Sequence, residues 1–170
     1  MQEIEYGDNF MRSILGLILA LILIQPAFAE KLETGYHSFE AEISFDDVEF
    51  NLENAIVDRG LVVNYKGFLN AMLERTAEVA TADGANYKSP YLNAIYMHFC
   101  SATLTHEATK ADIENIAICP YVMYAYELRA SPGKVTVGYR RPIASNSEAS
   151  KKAFVKIEKL LSDIAKEALE

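Results

Sequence analysis

Cys100 and Cys119 are the two cysteines of this chain, and they have its clearest potential for chemistry. Cys100 stands directly before Ser101, a residue type that commonly begins helices. The positive end of a helix dipole favours a thiolate, so a cysteine in this place is expected to be reactive. The pair is compatible with three states: a structural disulfide, a redox-active or ligand-protected dithiol, and two separate free thiols.

Soft metal ligands lie close to the cysteines in the sequence. The candidate metal-ligand residues are His98, Cys100, His106 and Cys119. Imidazole and thiolate groups suit copper or haem iron, so haem or copper would be the cofactor of such a site. The sequence contains no CxxC, CxxCH or HExxH motif. The histidines are more simply explained as ordinary strand or helix residues.

A further set of residues could contact a ligand that is not a metal. The candidate ligand-binding residues are Met72, Arg75, Cys100, Cys119 and Tyr121. Arg75 could reach an anionic group in a cleft, although a helix arginine is more often solvated or paired at the surface. The hydroxyls of residues 101–105 lack the context of a nucleophile such as GxSxG. No catalytic residue is predicted, and a binding protein is favoured over an enzyme.

The chain before the cysteines begins with a predicted strand and helix. Residues 35–43 alternate loosely in polarity and predict the strand. Ser44 and Asp47 indicate the start of the helix, and Gly60 lies where a left-handed residue would end it. The apolar residues recur at helical spacing and predict one buried stripe: Val48, Leu52, Ala55 and Ile56.

A second strand and a second helix follow. Residues 61–65 are rich in β-branched side chains and predict the strand. Residues 69–80 predict an amphipathic helix. Its buried face is predicted to consist of Leu69, Met72, Leu73, Thr76 and Ala80. Residues 81–90 are polar and contain glycine and proline, so they predict a surface loop.

The central part of the chain predicts three more strands. Residues 94–99 form the third, and a short helix capped by Ser101 extends to about residue 110. Residues 116–128 predict a long fourth strand, and residues 135–139 predict a fifth after a tight turn. Alternation on the fourth strand places on one face Val122, Tyr124 and Tyr126, and on the other Tyr121, Met123 and Ala125.

The C-terminal part of the chain predicts a long amphipathic helix. Ser145 and Glu148 have the spacing of a capping box. The apolar stripe repeats at intervals of three and four and consists of Phe154, Ile157, Leu161, Ile164 and Ala168. This stripe is predicted to cover one face of a sheet.

The order of these elements predicts an α+β fold: a two-layer sandwich of an antiparallel sheet with helices on one face. If the strands on either side of the short central helix are antiparallel neighbours, the end of one lies near the start of the other. The Cα atoms of Cys100 and Cys119 would then lie within about 7 Å, the limit for a disulfide.

Four segments carry a family resemblance: a strand ending in HFC, the helix SATLTHEATKAD, the strand entry NIAICPY and the final strand GKVTVGYRRP. Residues 35–142 thereby resemble the domain-of-unknown-function family 302, and MLERT at 72–76 is similar to its exported members with two cysteines. The likeness is most specific at Phe99-Cys100 and Cys119-Pro120-Tyr121. It implies a TATA-binding-protein-like β-α-β4-α fold that is often dimeric, so a homodimer is a candidate. It implies no established activity.

The N-terminal region predicts export. Residues 11–29 contain Arg12, an apolar run and small residues at the end, which is the pattern of a signal peptide cleaved before Glu30. The run is shorter than the about 20 residues of a membrane-spanning helix, so stable insertion is not expected after cleavage. Residues 1–10 carry acidic groups without a basic one, and we interpret them as a mis-started extension.

Residues 30–170 would form a single domain, periplasmic or secreted. The formal net charge of the whole chain is −8, which disfavours nucleic acid as a partner. The first functional hypothesis is a binding or accessory domain for a small ligand or a protein, with a pocket between sheet and helices near Cys100 and Cys119. The alternatives are a thiol-disulfide redox protein, a soft-metal or haem-binding protein, and a structural dimer module.

Overall fold

A computed structural model of the protein describes residues 35–144 and 147–170, and its centre is a five-stranded antiparallel sheet. The strand order is β1-β5-β4-β3-β2. The strands are β1 (Tyr36–Glu42), β2 (Tyr65–Phe68), β3 (Tyr91–Phe99), β4 (Tyr121–Leu128) and β5 (Lys134–Arg140). The four antiparallel pairings place β5, β4 and β3 in the middle, with β1 and β2 at the edges.

Helices complete the predicted α+β architecture. The helices are α1 (Phe45–Val57), α2 (Leu69–Ala80), α3 (Ala102–Ala111) and α4 (Glu148–Glu167). Helices α1 and α4 contact each other and the same face of the sheet. The apolar stripe predicted for the C-terminal helix is buried at every position, because it packs on this face. The buried sheet residues beneath the helices include Met97, Phe99, Met123, Val137 and Tyr139.

Side-chain caps fix the starts of three helices. The Ser44 hydroxyl accepts a hydrogen bond from the Asp47 amide at 3.1 Å, as the sequence predicts. The Ser101 hydroxyl accepts one from the Leu104 amide at 3.4 Å and begins α3. Helix α4 starts differently from the prediction, because Ser147 is its N-cap. The predicted cap Ser145 lies outside the described residues.

Two predicted strands have different boundaries in the structure. The second strand is Tyr65–Phe68, and the predicted residues 61–64 form an extended connection before it. Leu61 and Val63 pack against the core there, so their β-branched or apolar character reflects burial and not strand pairing. The fourth strand begins at Tyr121, because Ile113–Ile118 form a 3-10 helix instead.

Helix α2 has the predicted length but not the predicted buried face. Ala77 is its buried residue, whereas Met72 is 37% exposed and Ala80 is exposed. The helix lies beside β3, where the Asn70 side-chain amide donates to the Leu92 carbonyl at 3.2 Å. Edge placement explains the difference, because a helix at the edge of a sheet does not bury a complete stripe.

Candidate functional site

The face of the sheet opposite the helical core carries a cavity of about 610 Å³. Successive strand residues point to opposite faces, so this open face receives the residues that alternate with the core. The open face is rich in tyrosine, and the cavity is lined there by Tyr36, Tyr91, Tyr96, Tyr124 and Tyr126 together with Val122, His98 and Arg140. We refer to it below as the aromatic cavity.

Strand register places the two tyrosines at the centre of the aromatic cavity directly opposite each other. Tyr96 on β3 pairs with Tyr124 on β4. Tyr96 also pairs with Gly67 on the neighbouring strand β2, and Tyr124 pairs with Gly138 on β5. In this row of the open face, the two tyrosines therefore stand between two glycines, and Ser38 on β1 pairs with Gly138.

The two glycines let the tyrosine rings lie flat over the flanking strands β2 and β5. A Cβ atom at Gly67 would collide with the Tyr96 ring, and one at Gly138 would collide with the Tyr124 hydroxyl. Because β2 and β5 lie on opposite sides of the β3–β4 pair, the rings diverge from each other. The space between them is the aromatic cavity, so glycine at these two positions is a condition for its shape.

Further rings support these tyrosines. Tyr126 stacks on Tyr124 with ring centroids 6.3 Å apart, and Tyr91 packs edge-on against Tyr126 at 5.5 Å. On the other side, the His98 ring lies 5.4 Å from the Tyr96 ring. A surface of this kind favours flat apolar groups, because aromatic rings prefer offset-stacked and edge-on contacts.

One end of the aromatic cavity carries positive charge. Arg140 pairs with Tyr36 across β5 and β1, and His98 pairs with Val122 across β3 and β4. Arg140 has no carboxylate partner among the described residues. Burial raises the pKa of Tyr124, and a hydrogen bond to the Tyr65 hydroxyl, which favours the neutral phenol, raises the pKa of Tyr96. These phenols are therefore neutral at neutral pH and do not oppose an anion.

Cys100 and Cys119 form a disulfide whose Cα atoms are 5.8 Å apart. It joins the end of β3 to the start of β4, where Phe99 pairs with Tyr121. The loop that it closes contains α3 and the 3-10 helix. Neither cysteine lines the aromatic cavity, but the disulfide holds together the two strands that form the floor of the cavity.

The same loop is anchored independently of the disulfide. The buried Asn115 side-chain amide donates to the Ala108 carbonyl at 2.9 Å and to the Ser150 hydroxyl at 2.7 Å. These bonds connect the 3-10 helix to α3 and α4. A second cavity of about 410 Å³ lies beside it and is lined by Asn115, Ile118, Arg140 and Arg141 among others.

The structure separates the residues that the sequence proposed as ligand contacts. Tyr121 is 2% exposed and belongs to the core. Its hydroxyl lies near the Thr105 hydroxyl and the Ser101 backbone without a well-aligned hydrogen bond to a described residue. Met72 and Arg75 are exposed on α2 and line neither of the two cavities.

The candidate metal set is not assembled either. His98 lies on the open face, whereas His106 is exposed on α3. Within residues 35–144 and 147–170, no three histidine, cysteine or acidic side chains are placed to hold one metal ion. The candidate ligands are not brought together here, because alternation and the following helix direct the two histidines to different surfaces. Of the predicted site residues, His98 lines the aromatic cavity.

The tyrosines of the aromatic cavity were not predicted as a site. Their signal in the sequence is a strand segment in which both alternating sets are apolar or aromatic, as in residues 121–126. A strand with one solvent-exposed face normally carries polar residues on that face. Aromatic residues there indicate a surface that contacts something other than water.

This fold is an α+β sandwich with one covered and one open face, and a solved structure shares it. The chain is similar to a structure described as "Crystal structure of uncharacterized conserved protein DUF302 from Bacillus stearothermophilus". The TM-score is 0.64 and the sequence identity is 13%, over 80% of this chain and 99% of that chain. The fold is therefore DUF302-like, in agreement with the resemblance seen in the sequence.

The other comparisons add no relative. No family model matches the chain, and no curated protein matches it. In the part of the chain that the structure describes, the helices are too short or too polar to cross a membrane.

Proposed function

We propose that the protein is an exported domain that binds a small ligand in the aromatic cavity. The observation that carries this proposal is a tyrosine-walled space of about 610 Å³ on the uncovered face of the sheet. Ligand sites commonly have volumes of about 300–1,000 Å³ and apolar or aromatic walls with few polar groups. The nearby Arg140 and His98 supply the polar groups.

This proposal places the ligand on the opposite side of the sheet from the pocket that the sequence suggested. The space between sheet and helices is filled by core side chains, including Tyr121. In this proposal the disulfide contributes indirectly. Cys100 follows the strand of His98, and Cys119 precedes the strand of Val122, so the cross-link fixes the spacing of the cavity floor.

An uncharged fluorescent dye, phenylnaphthylamine, tests the proposal. It should bind the purified protein with increased emission, and Tyr126→Ala should weaken binding about fivefold, the equivalent of one aromatic contact of about 1 kcal/mol. Tyr87→Ala is the matched control, because Tyr87 is half-buried in the 81–90 loop and does not line the cavity. Circular dichroism checks that each variant is folded. Equal binding by all three proteins would contradict the proposal.

A dimer that covers the open face would give a different result. Light scattering would report twice the mass of one chain, and the dye would not bind until the dimer dissociates on dilution. That outcome would favour the structural dimer module over a ligand site. A monomer that binds the dye in the Tyr126-dependent way favours the ligand site.

Export, and membership of the exported two-cysteine type of the DUF302 family, belong to the same proposal. The signal-peptide pattern over residues 11–29 and the cysteine pair support both, because disulfides persist in oxidising compartments. Mass spectrometry of the protein from its own cell envelope should find a chain that begins at Glu30. A mature chain that retains residues 21–24 would show an uncleaved anchor instead.

Thiol-disulfide exchange is the second candidate function. It is favoured by the position of Cys100 next to the N-cap of α3, and by the partial exposure of both cysteines. Alkylation of the reduced protein across a pH range, with peptide mapping, measures this. Cys100 should label at lower pH than Cys119. Labelling of both at the pH of an ordinary thiol would leave the disulfide with a structural role alone.

A further inference from the structure

We infer that the ligand of the aromatic cavity is a flat aromatic or conjugated acid whose anionic group binds Arg140. The inference rests on the proposed function and names the chemical class of the ligand. It follows from the pairing of the arginines, from the charges that line the cavity and from the order of groups along its floor.

Arg140 stands apart from most arginines that the structure describes. Three others are held by carboxylates: Arg59 by Glu167 at 2.7 Å, Arg129 by Glu74 at 2.8 Å and Arg141 by Glu158 at 3.1 Å. Arg140 and Arg75 have no such partner among the described residues. Arg75 is on exposed α2, whereas Arg140 lies at the wall of a cavity, where a guanidinium is available for a ligand carboxylate.

The aromatic cavity contrasts in charge with the rest of the protein. The chain has a net charge of −8, yet no carboxylate is among the residues that line the cavity. Glu40, an acidic group on the same face of the sheet, is paired with Lys134. An anion that reaches the cavity therefore meets one unpaired cation and no acidic side chain, whereas most of the surface repels it.

The order of groups gives the ligand an orientation. At one end of the cavity floor, a row across the strands contains Arg140, Val122 and His98. The next row along the strands contains Tyr124 and Tyr96. An acidic group held by Arg140 would place an attached ring system between the two tyrosines. Apolar walls with a cation at one end fit a molecule with the same asymmetry, such as an aromatic carboxylate or sulfonate.

Two related dyes test this inference on the full mature chain. Anilinonaphthalene sulfonate has the ring system of phenylnaphthylamine plus one anionic group. Arg140→Gln should weaken the sulfonate about fivefold to tenfold, the range of a partly exposed charge-assisted contact, and should change binding of the uncharged dye less than about twofold. Arg75→Gln is the matched control, because it removes the same charge from an unpaired arginine outside the cavity. It should leave both dyes unaffected.

The outcomes separate this inference from the proposed function. If the uncharged dye binds in the Tyr126-dependent way but the sulfonate does not depend on Arg140, the inference is wrong and the proposed function stands. If neither dye responds to Tyr126→Ala, both are wrong. If the sulfonate depends on Arg140 but not on Tyr126, it occupies the second cavity, which Arg140 also lines, and the inference is overturned.

Discussion

Reduction of the Cys100–Cys119 disulfide should destabilise the protein without unfolding it at room temperature. The cross-link closes a loop with a sequence separation of 19 residues. In the chain-entropy model, a loop of this size restricts the unfolded chain by roughly 3 kcal/mol. The native loop keeps its anchors, because Asn115 still bonds to Ala108 and Ser150. The loss should therefore arise mainly in the unfolded state.

Urea unfolding, followed by circular dichroism, measures this loss with and without a reductant. The free energy of unfolding should fall by roughly 3 kcal/mol on reduction, and the dependence on urea should become steeper because the reduced unfolded chain exposes more surface. The double variant Cys100→Ala/Cys119→Ala is the control, and a reductant should not change its stability. A fall below about 0.5 kcal/mol, with mass spectrometry showing full reduction, would refute the loop-entropy reasoning.

Three further predictions concern the packing of the two faces of the sheet. Leu161→Ala should lower the free energy of unfolding, measured with urea, by about 2–5 kcal/mol because Leu161 is fully buried. Lys159→Ala, on the solvent side of the same helix, should lower it by less than about 0.5 kcal/mol. Equal losses would mean that α4 is not packed on the sheet. Burial raises the pKa of Tyr121, so above about pH 10 the unfolded state ionises first and the stability of the protein falls. Tyr121→Phe should reduce this loss of stability at alkaline pH and cost less than about 0.5 kcal/mol at pH 7. A larger cost at pH 7 would reveal a hydrogen bond of the Tyr121 hydroxyl. Gly67→Ala should destabilise the protein by about 1–3 kcal/mol, because the added Cβ atom collides with the Tyr96 ring. The same substitution should cost little in a Tyr96→Ala background, which lacks that ring. Additive costs in this double-mutant cycle would show that the ring does not lie over Gly67.

The fold could be predicted from the sequence where one periodic pattern extends over many residues. The α4 stripe repeats over about four turns and is buried as predicted, and Ser44 begins α1 as predicted. Shorter patterns were less informative. Leu61 and Val63 are apolar because they pack on the core, and a β-branched run does not state whether its backbone pairs with a strand.

The start of β4 was misplaced for a local reason. Residues 116–118 are apolar and were included in the predicted strand, but the Asp112 carboxylate accepts a hydrogen bond from the Glu114 amide and begins a 3-10 helix over Ile113–Ile118. Side chains of this type compete with strand pairing by bonding to the nearby backbone. An apolar run directly after an aspartate is therefore a weak indication of a strand.

The aromatic cavity could not be derived from sequence spacing alone. It requires Tyr96 to pair with Tyr124 in the strand register, and Gly67 and Gly138 to lie beneath the two rings. These residues meet through strand register, which is set by loops and by packing of the opposite face. A shift of one residue would exchange the open and covered faces of a strand.

Residues of β3 alternate between the covered face and the open face of the sheet. Met97 and Phe99 are fully buried under the helices, while Tyr96 and His98 between them face the cavity. A substitution at one set leaves the packing contacts of the other set in place. The lining of the cavity can therefore change while the core, and with it the fold, is kept.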